Sequence, residues 1–317
     1  MNTYTLQLEN DQLDNIIPFV RFCKENEHTD IKLVVNQESH CLRFCGVYDI
    51  LDLFTFTSVT ILTANIVEHH HRYSIQEPYD WNHWLRWDLS TFDHAYDYSW
   101  TKQKIFGCFY GRPSASRLGI ASYVNPAQAV IKVRFNNTQE DNRKNFELQK
   151  LYGWHPEIMP KVIALLTNIN QYQATDFAHN HNLRRYDYNN EINYLYKDIF
   201  VDLVVEPNVN GNSFYPTEKI ARAILCRKPF IVMAPLFYLR YLQQMGFKTF
   251  ADCWSESYDD LTGKNRYFSI LSLIDQLSNL SLQQLDELNN KLQATIEHNY
   301  QLLINQQFTS DITRIHE

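Results

Sequence analysis

Residues 198–250, DIFVDLVVEPNVNGNSFYPTEKIARAILCRKPFIVMAPLFYLRYLQQMGFKTF, constrain the fold more than any other stretch of this chain, because they spell strand, acidic exit, loop, capped helix and strand in that order. Residues 200–205 form a short Val-rich apolar run, the pattern of a strand buried on both faces, and Glu206 stands at its carboxyl end. A loop over 207–215 follows. Pro216 and Thr217 then open a helix with Glu218 and Lys219 in its first turn, where unpaired backbone N–H groups and the helix dipole favour an anion. Ile220, Ala223, Ile224 and Leu225 give this helix a buried face, and Pro229 introduces the next apolar run, 230–233. The pattern predicts a βαβ crossover, hence a parallel sheet.

In open α/β sheets ligands settle outside the carboxyl ends of the strands, against helix N-termini. Glu206, Tyr215, Thr217, Glu218 and Lys219 are therefore candidate ligand-binding residues. The segment FYPTEKIARAILCRKPFIV resembles the donor-site segment of two-domain GT-B-type glycosyltransferases, especially the α1,3-fucosyltransferase-like and related viral and bacterial sugar transferases. The later MGFKTF and SESYDD runs with Arg266 are similar to the tail that follows this motif in such proteins, so the resemblance covers about the last half of the chain. It implies two Rossmann-like α/β domains facing across a cleft, with Glu218 on the ribose of a nucleotide sugar and Lys219 on its diphosphate. The plainer reading is that Glu and Lys are common in first helical turns as solvated residues. The βαβ context and the aromatic pair Phe214 and Tyr215 favour a donor site.

A chain of 317 residues exceeds the size at which one core usually keeps growing. We expect an acceptor-side α/β domain over 1–160, a nucleotide-sugar-binding α/β domain over 161–280, and a C-terminal helix over 281–317 packing back towards the first domain. Eight glycines are few against an average of about 7%. No GxGxxG loop and no P-loop is present, so neither an NAD enzyme nor a P-loop enzyme is expected, and side chains and helix ends must hold any phosphate. No cofactor is called for beyond the nucleotide sugar, which is a co-substrate. The N-terminus lacks a basic segment followed by an apolar one, no apolar run is long enough to cross a bilayer, and a cytoplasmic enzyme is expected. Six scattered cysteines suit reduced thiols. The wealth of Asn, Tyr, Ile and Lys suggests an AT-rich genome, such as that of a phage, a large DNA virus or an AT-rich bacterium.

In the N-terminal half, strands are expected at 3–8, 31–35, 58–64 and 104–110, with a helix over 13–24. The exit of the fourth, GRPSASRLG, has Gly111 and Pro113 for a turn and Ser114 or Ser116 to cap a helix. This GRP run is similar to the start of the nucleotide side of the cleft in related transferases, which implies a donor-binding role for Arg112 and Arg117. Guanidinium forks suit phosphate oxygens, although surface ion pairs account for many arginines. A strand over 129–135, helices over 141–151 and 158–166, and a long amphipathic helix capped by Ser281 complete the pattern.

Glu68 and the triple histidine His69, His70 and His71 follow the 58–64 strand. Consecutive residues share no face of a helix or strand, so a tetrahedral metal site is awkward there, and no convincing DxD metal signature occurs. No metal is expected. Glu68 is the candidate base for the acceptor hydroxyl, and His69 a hydrogen-bonding group at the cleft rim. The segment 79–100 holds four of the six tryptophans with interleaved aspartates. It suits an acceptor wall, with Asp80 and Trp84 as candidates, but also core packing or the stacking of nucleic-acid bases. The net charge of −7 opposes broad contact with a nucleic-acid backbone. The expected function is an inverting, metal-independent glycosyl transfer from a nucleotide sugar to an acceptor hydroxyl. The alternatives are a catalytically silent sugar-nucleotide or glycan-binding protein of the same fold, or a transferase acting on a modified base in DNA.

Overall fold

A computed structural model describes residues 1–9, 12–14, 16–35, 40–76, 92–133, 141–172, 191–309 and 311–315. The chain is α/β, with two parallel four-stranded sheets. The first runs β1 (Asn2–Leu6), β2 (Asp30–Val35), β3 (Ser58–Leu62) and β4 (Ser74–Gln76) in that spatial order, each parallel to its neighbour. Crossovers are right for parallel pairing: α1 (Ile16–Glu25) lies between β1 and β2, and α2 (Val47–Leu51) between β2 and β3. β2 buries Ile31, Leu33 and Val35 while Asp30 is exposed, an alternation that fits a sheet with one well-covered face. Phe19 and Cys23 of α1, with Val47 and Leu51 of α2, close that core. The strand β4 had no counterpart in the sequence reading.

The second sheet comprises β5 (Phe106–Tyr110), β6 (Ala129–Val133), β7 (Val201–Val205) and β8 (Phe230–Met233), in the spatial order β8-β7-β5-β6. β5, β7 and β8 are buried along their whole length, which is why they read as largely apolar runs, interrupted in β7 by the buried Asp202. The sequence grouped β5 and β6 with the N-terminal unit by chain position. Hydrogen bonding instead places them beside β7, so sheet membership changes between residues 76 and 106 and not near 160. Strand pairing is a long-range property, and nothing local in either strand announces its partner.

From β5 the chain crosses through α3 (Ala115–Tyr123) to β6 on one side, and later returns to β7 on the other. The direction of winding thus reverses between β5 and β7. Ser114 caps α3 by accepting from the Arg117 N–H. α4 (Asp141–Trp154) and α5 (Met159–Thr167) follow β6, and the short α6 (Glu191–Leu195) precedes β7. After β7 come α7 (Glu218–Leu225), β8, α8 (Tyr238–Gln244) and α9 (Gly263–Ser278). The last helix, α10 (Leu282–Ile304), starts with a reciprocal capping box between Ser281 and Gln284 and packs on α7.

The two units meet where their strands end. Val67, just beyond β3, is buried in the second core, not the first. The segment after α10 also reaches across, with Arg314 Nη1 donating to the carbonyl of Val67 at 2.6 Å. Among the described residues no helix is long and apolar enough to cross a membrane.

Candidate functional site

The exit of β7 holds the densest polar cluster that the sequence singled out. Glu206, 2% exposed, accepts from Thr217 Oγ1 at 2.6 Å, from the Thr217 N–H at 3.3 Å and from Tyr238 Oη at 2.6 Å. Burial raises its pKa, while the nearby Lys219 ammonium and the Thr217 and Tyr238 hydroxyls pull the other way. Thr217 is at the same time the N-cap of α7: its extended backbone turns Oγ1 to the Lys219 N–H at 3.3 Å. Lys219 Nζ lies 2.8 Å from Glu218 Oε1, 3.3 Å from Thr217 Oγ1 and 4.0 Å from Glu206 Oε2. Burial would raise the Glu218 pKa, but Lys219 and then Arg222 outweigh it and the net shift is downward, so Glu218 is an anion beside Lys219.

Glu206, Tyr215, Thr217, Glu218 and Lys219 are therefore brought together, all around the first turn of α7. Between Glu206, Asn208, Ser213, Tyr215, Thr217 and Tyr238 lies a cavity of about 20 Å3, which is room for a water. The sequence did not reveal Tyr238: it lies in an apolar run after β8, and only the tertiary fold brings its hydroxyl to Glu206.

The neighbouring wall is built by the residues of the SESYDD and Arg266 tail. Arg266 is fully buried, and its fork donates to the carbonyls of Val232 and Pro235 and to Asp259 Oδ1 at 3.1 Å. Asp259 in turn accepts from the Leu239 and Arg240 N–H groups in the first turn of α8. Burial pushes the guanidinium pKa down and Asp259 pushes it back up. The pair braces the exit of β8 against the start of α8, and so holds Tyr238 towards Glu206.

Arg117 is 6% exposed and spans the point where the winding reverses, donating Nη2 to the Val205 carbonyl at 2.9 Å and Nη1 to the Arg112 carbonyl at 3.0 Å. Its fork ties the exits of β5 and β7 together. Arg112 is exposed beside it. At the first turn of α3, Glu147, 3% exposed, accepts from the Ala115 N–H at 2.6 Å, so a carboxylate of the chain occupies that helix start. Nothing in the polar pattern of residues 141–151 pointed to this role.

Glu68 stands away from this cluster, at the junction of the two units. Its oxygens accept from the Leu42 N–H at 3.0 Å, Tyr48 Oη at 2.9 Å and Asn65 Nδ2 at 2.9 Å. Burial raises its pKa against those donors and the nearby Arg314. Both oxygens are engaged by groups of the chain, which makes Glu68 a brace in this structure. The three histidines differ in exposure: His70 is buried, stacks on Tyr73 and on His71 and meets Tyr48 at a tilt, while His69 and His71 are exposed. Burial, and then the adjacent His71, lower the His70 pKa. Asp80 and Trp84 lie outside the described residues. Among the described residues, no three His, Cys, Asp or Glu side chains group as metal ligands.

The fold and the strand-end cluster define a class, an α/β protein with a water-sized cavity at the exits of β7 and β8, next to the switch in sheet winding between β5 and β7. Comparison with protein-family models, with curated proteins and with solved structures finds nothing that matches this chain.

Proposed function

We propose that this chain is a nucleotide-sugar-dependent glycosyltransferase of GT-B-like, two-domain build, which moves a sugar to an acceptor hydroxyl with inversion of configuration. The observation that carries the reading is the convergence of Thr217, Glu218 and Lys219 on the helix start that follows β7, beside the point where sheet winding reverses. Open α/β sheets bind ligands at such points. The exits of β3 and β7 also meet, which suits a donor held by one unit and an acceptor presented by the other.

In this reading the diphosphate lies at the first turn of α7, accepting from backbone N–H groups and from Lys219 Nζ. Glu218, the anion beside Lys219, is the group for a ribose hydroxyl. A cavity of about 20 Å3 is too small for a diphosphate, so donor entry turns Lys219 away from Glu218 and widens the space around Tyr215. Charge that develops on the leaving diphosphate is then met by Lys219 and the helix dipole. In this reading Arg117 braces the strand exits, and Glu68, at the junction of the two units, exchanges one of its present donors for the acceptor hydroxyl and takes its proton as the new bond forms and the bond to the diphosphate breaks.

The experiment is a thermal-shift screen against nucleoside diphosphates and their sugars, followed by a transfer or donor-hydrolysis assay with whichever donor binds. Stabilisation with turnover supports the transferase. Stabilisation without turnover on any acceptor selects the silent binding protein, and the absence of any nucleotide-dependent shift removes the reading.

A further inference from the structure

The loop that lines the strand-end cavity is held by groups from outside its own sheet. Asn65, which follows β3 and is 1% exposed, accepts at Oδ1 from the Phe214 N–H at 3.0 Å. Its Nδ2 donates to Glu68 Oε2 at 2.9 Å and lies 3.3 Å from the Asn212 carbonyl oxygen. A primary amide both donates and accepts through one planar group, so Asn65 pairs with this loop much as a neighbouring strand would. Ser213, a wall of the cavity, sits between the two peptide groups that Asn65 grips.

From the other side, Asn212 Oδ1 accepts from Tyr241 Oη at 2.8 Å and Asn212 Nδ2 donates to the Ile315 carbonyl at 2.9 Å. Gly211 passes the first unit so closely that a Cβ there would stand 2.6 Å from Cys41 Cβ. The loop thus has little freedom while the junction is intact. Loss of the Asn65 contacts releases the backbone on both sides of Ser213.

We infer that Asn65 is a positioning residue for the 208–215 loop: by gripping Asn212 and Phe214 from the first sheet, it makes the strand-end ligand site form only when the two units are docked. The inference deepens the proposed function and rests on it for the identity of the ligand. Binding at the first turn of α7 and closure of the two units then become one coupled equilibrium.

The test uses the full chain with Asn65→Ala and Asn65→Asp, read by hydrogen exchange and by titration with UDP and GDP. In Asn65→Ala, amides across 208–215 exchange at least tenfold faster while those of β2 and β3 keep their protection, and the dissociation constant of the bound nucleotide rises at least tenfold. Asn65→Asp keeps an acceptor for the Phe214 N–H, so that amide stays more protected than in Asn65→Ala. Should both variants fail to fold, Tyr241→Phe releases Asn212 from the opposite side and gives the same local acceleration. Unchanged exchange over 208–215, or faster exchange with unaltered nucleotide affinity, overturns the inference. If the unaltered chain binds neither UDP nor GDP nor any other nucleoside diphosphate, the functional reading falls separately, and the exchange result still decides whether Asn65 sets the loop.

Discussion

Glu206 and Thr217, 11 residues apart, are joined by a 2.6 Å hydrogen bond from the threonine hydroxyl to the carboxylate, and this bond pulls the start of α7 onto the end of β7. One hydroxyl thereby caps the helix and partners a buried acid. Removing it leaves Glu206 without one of its donors. We expect Thr217→Val to lose about 1–3 kcal/mol of stability in urea unfolding, whereas Thr217→Ser, which keeps the hydroxyl, stays close to the unaltered chain.

Lys219 is placed differently. Its ammonium is 20% exposed and pairs with the 14% exposed Glu218, so its removal leaves a largely buried anion and is expected to cost on the order of 1–3 kcal/mol. We expect Lys219→Ala to remain folded and to weaken nucleoside diphosphate binding at least tenfold, as read by isothermal titration. Wild-type affinity in that variant would remove the diphosphate from the first turn of α7.

Asp202 gives the clearest pH signature. It is buried in β7, accepts from Tyr196 Oη at 2.6 Å, and burial pushes its pKa up to about 7, against the opposing pulls of Tyr196 and Arg222. An acid whose folded pKa is raised deprotonates first in the unfolded chain. The contribution of Asp202 to stability is therefore full below the unfolded value of 3.8 and is lost as pH rises towards about 7. The loss is on the order of 4 kcal/mol. Asp202→Asn should flatten this part of the stability curve, and urea unfolding between pH 4 and pH 7 measures it.

Gly211 has φ of +66°, and a Cβ there would meet Cys41 Cβ at 2.6 Å and Sγ at 2.9 Å. Both the backbone and the contact oppose any side chain. Gly211→Ala should cost about 1–3 kcal/mol from the left-handed backbone alone. It should also lower nucleotide affinity, because the strain falls on the loop that lines the cavity. Chemical unfolding and a nucleotide titration of the same sample check the two effects.

Much of the strand-end cluster was legible because its signals are local. The Val-rich run, the acidic exit, Thr217 as cap and Pro229 before β8 all lie within one crossover, and each states its own structure. Ser281 announced α10 for the same reason. The pairing of β5 and β6 with β7 was not legible, since strands of similar composition fit either sheet. Tyr238, Asn65 and Glu147 escaped notice because each reaches its partner only through tertiary packing. Arg117 was singled out for its chemistry, yet its fork reaches two strand-end carbonyls, an arrangement that no spacing in the sequence reveals.

Val67 belongs by chain position to the first unit and by packing to the core of the second. The consequence is an inheritance rule for recombination. A chimera that takes its first 76 residues from elsewhere must bring a fitting apolar plug at this position, or the recipient half is left with a hole in its interior. Splitting the gene between 76 and 106 and expressing the halves apart should give a C-terminal fragment that aggregates until its missing companion is supplied.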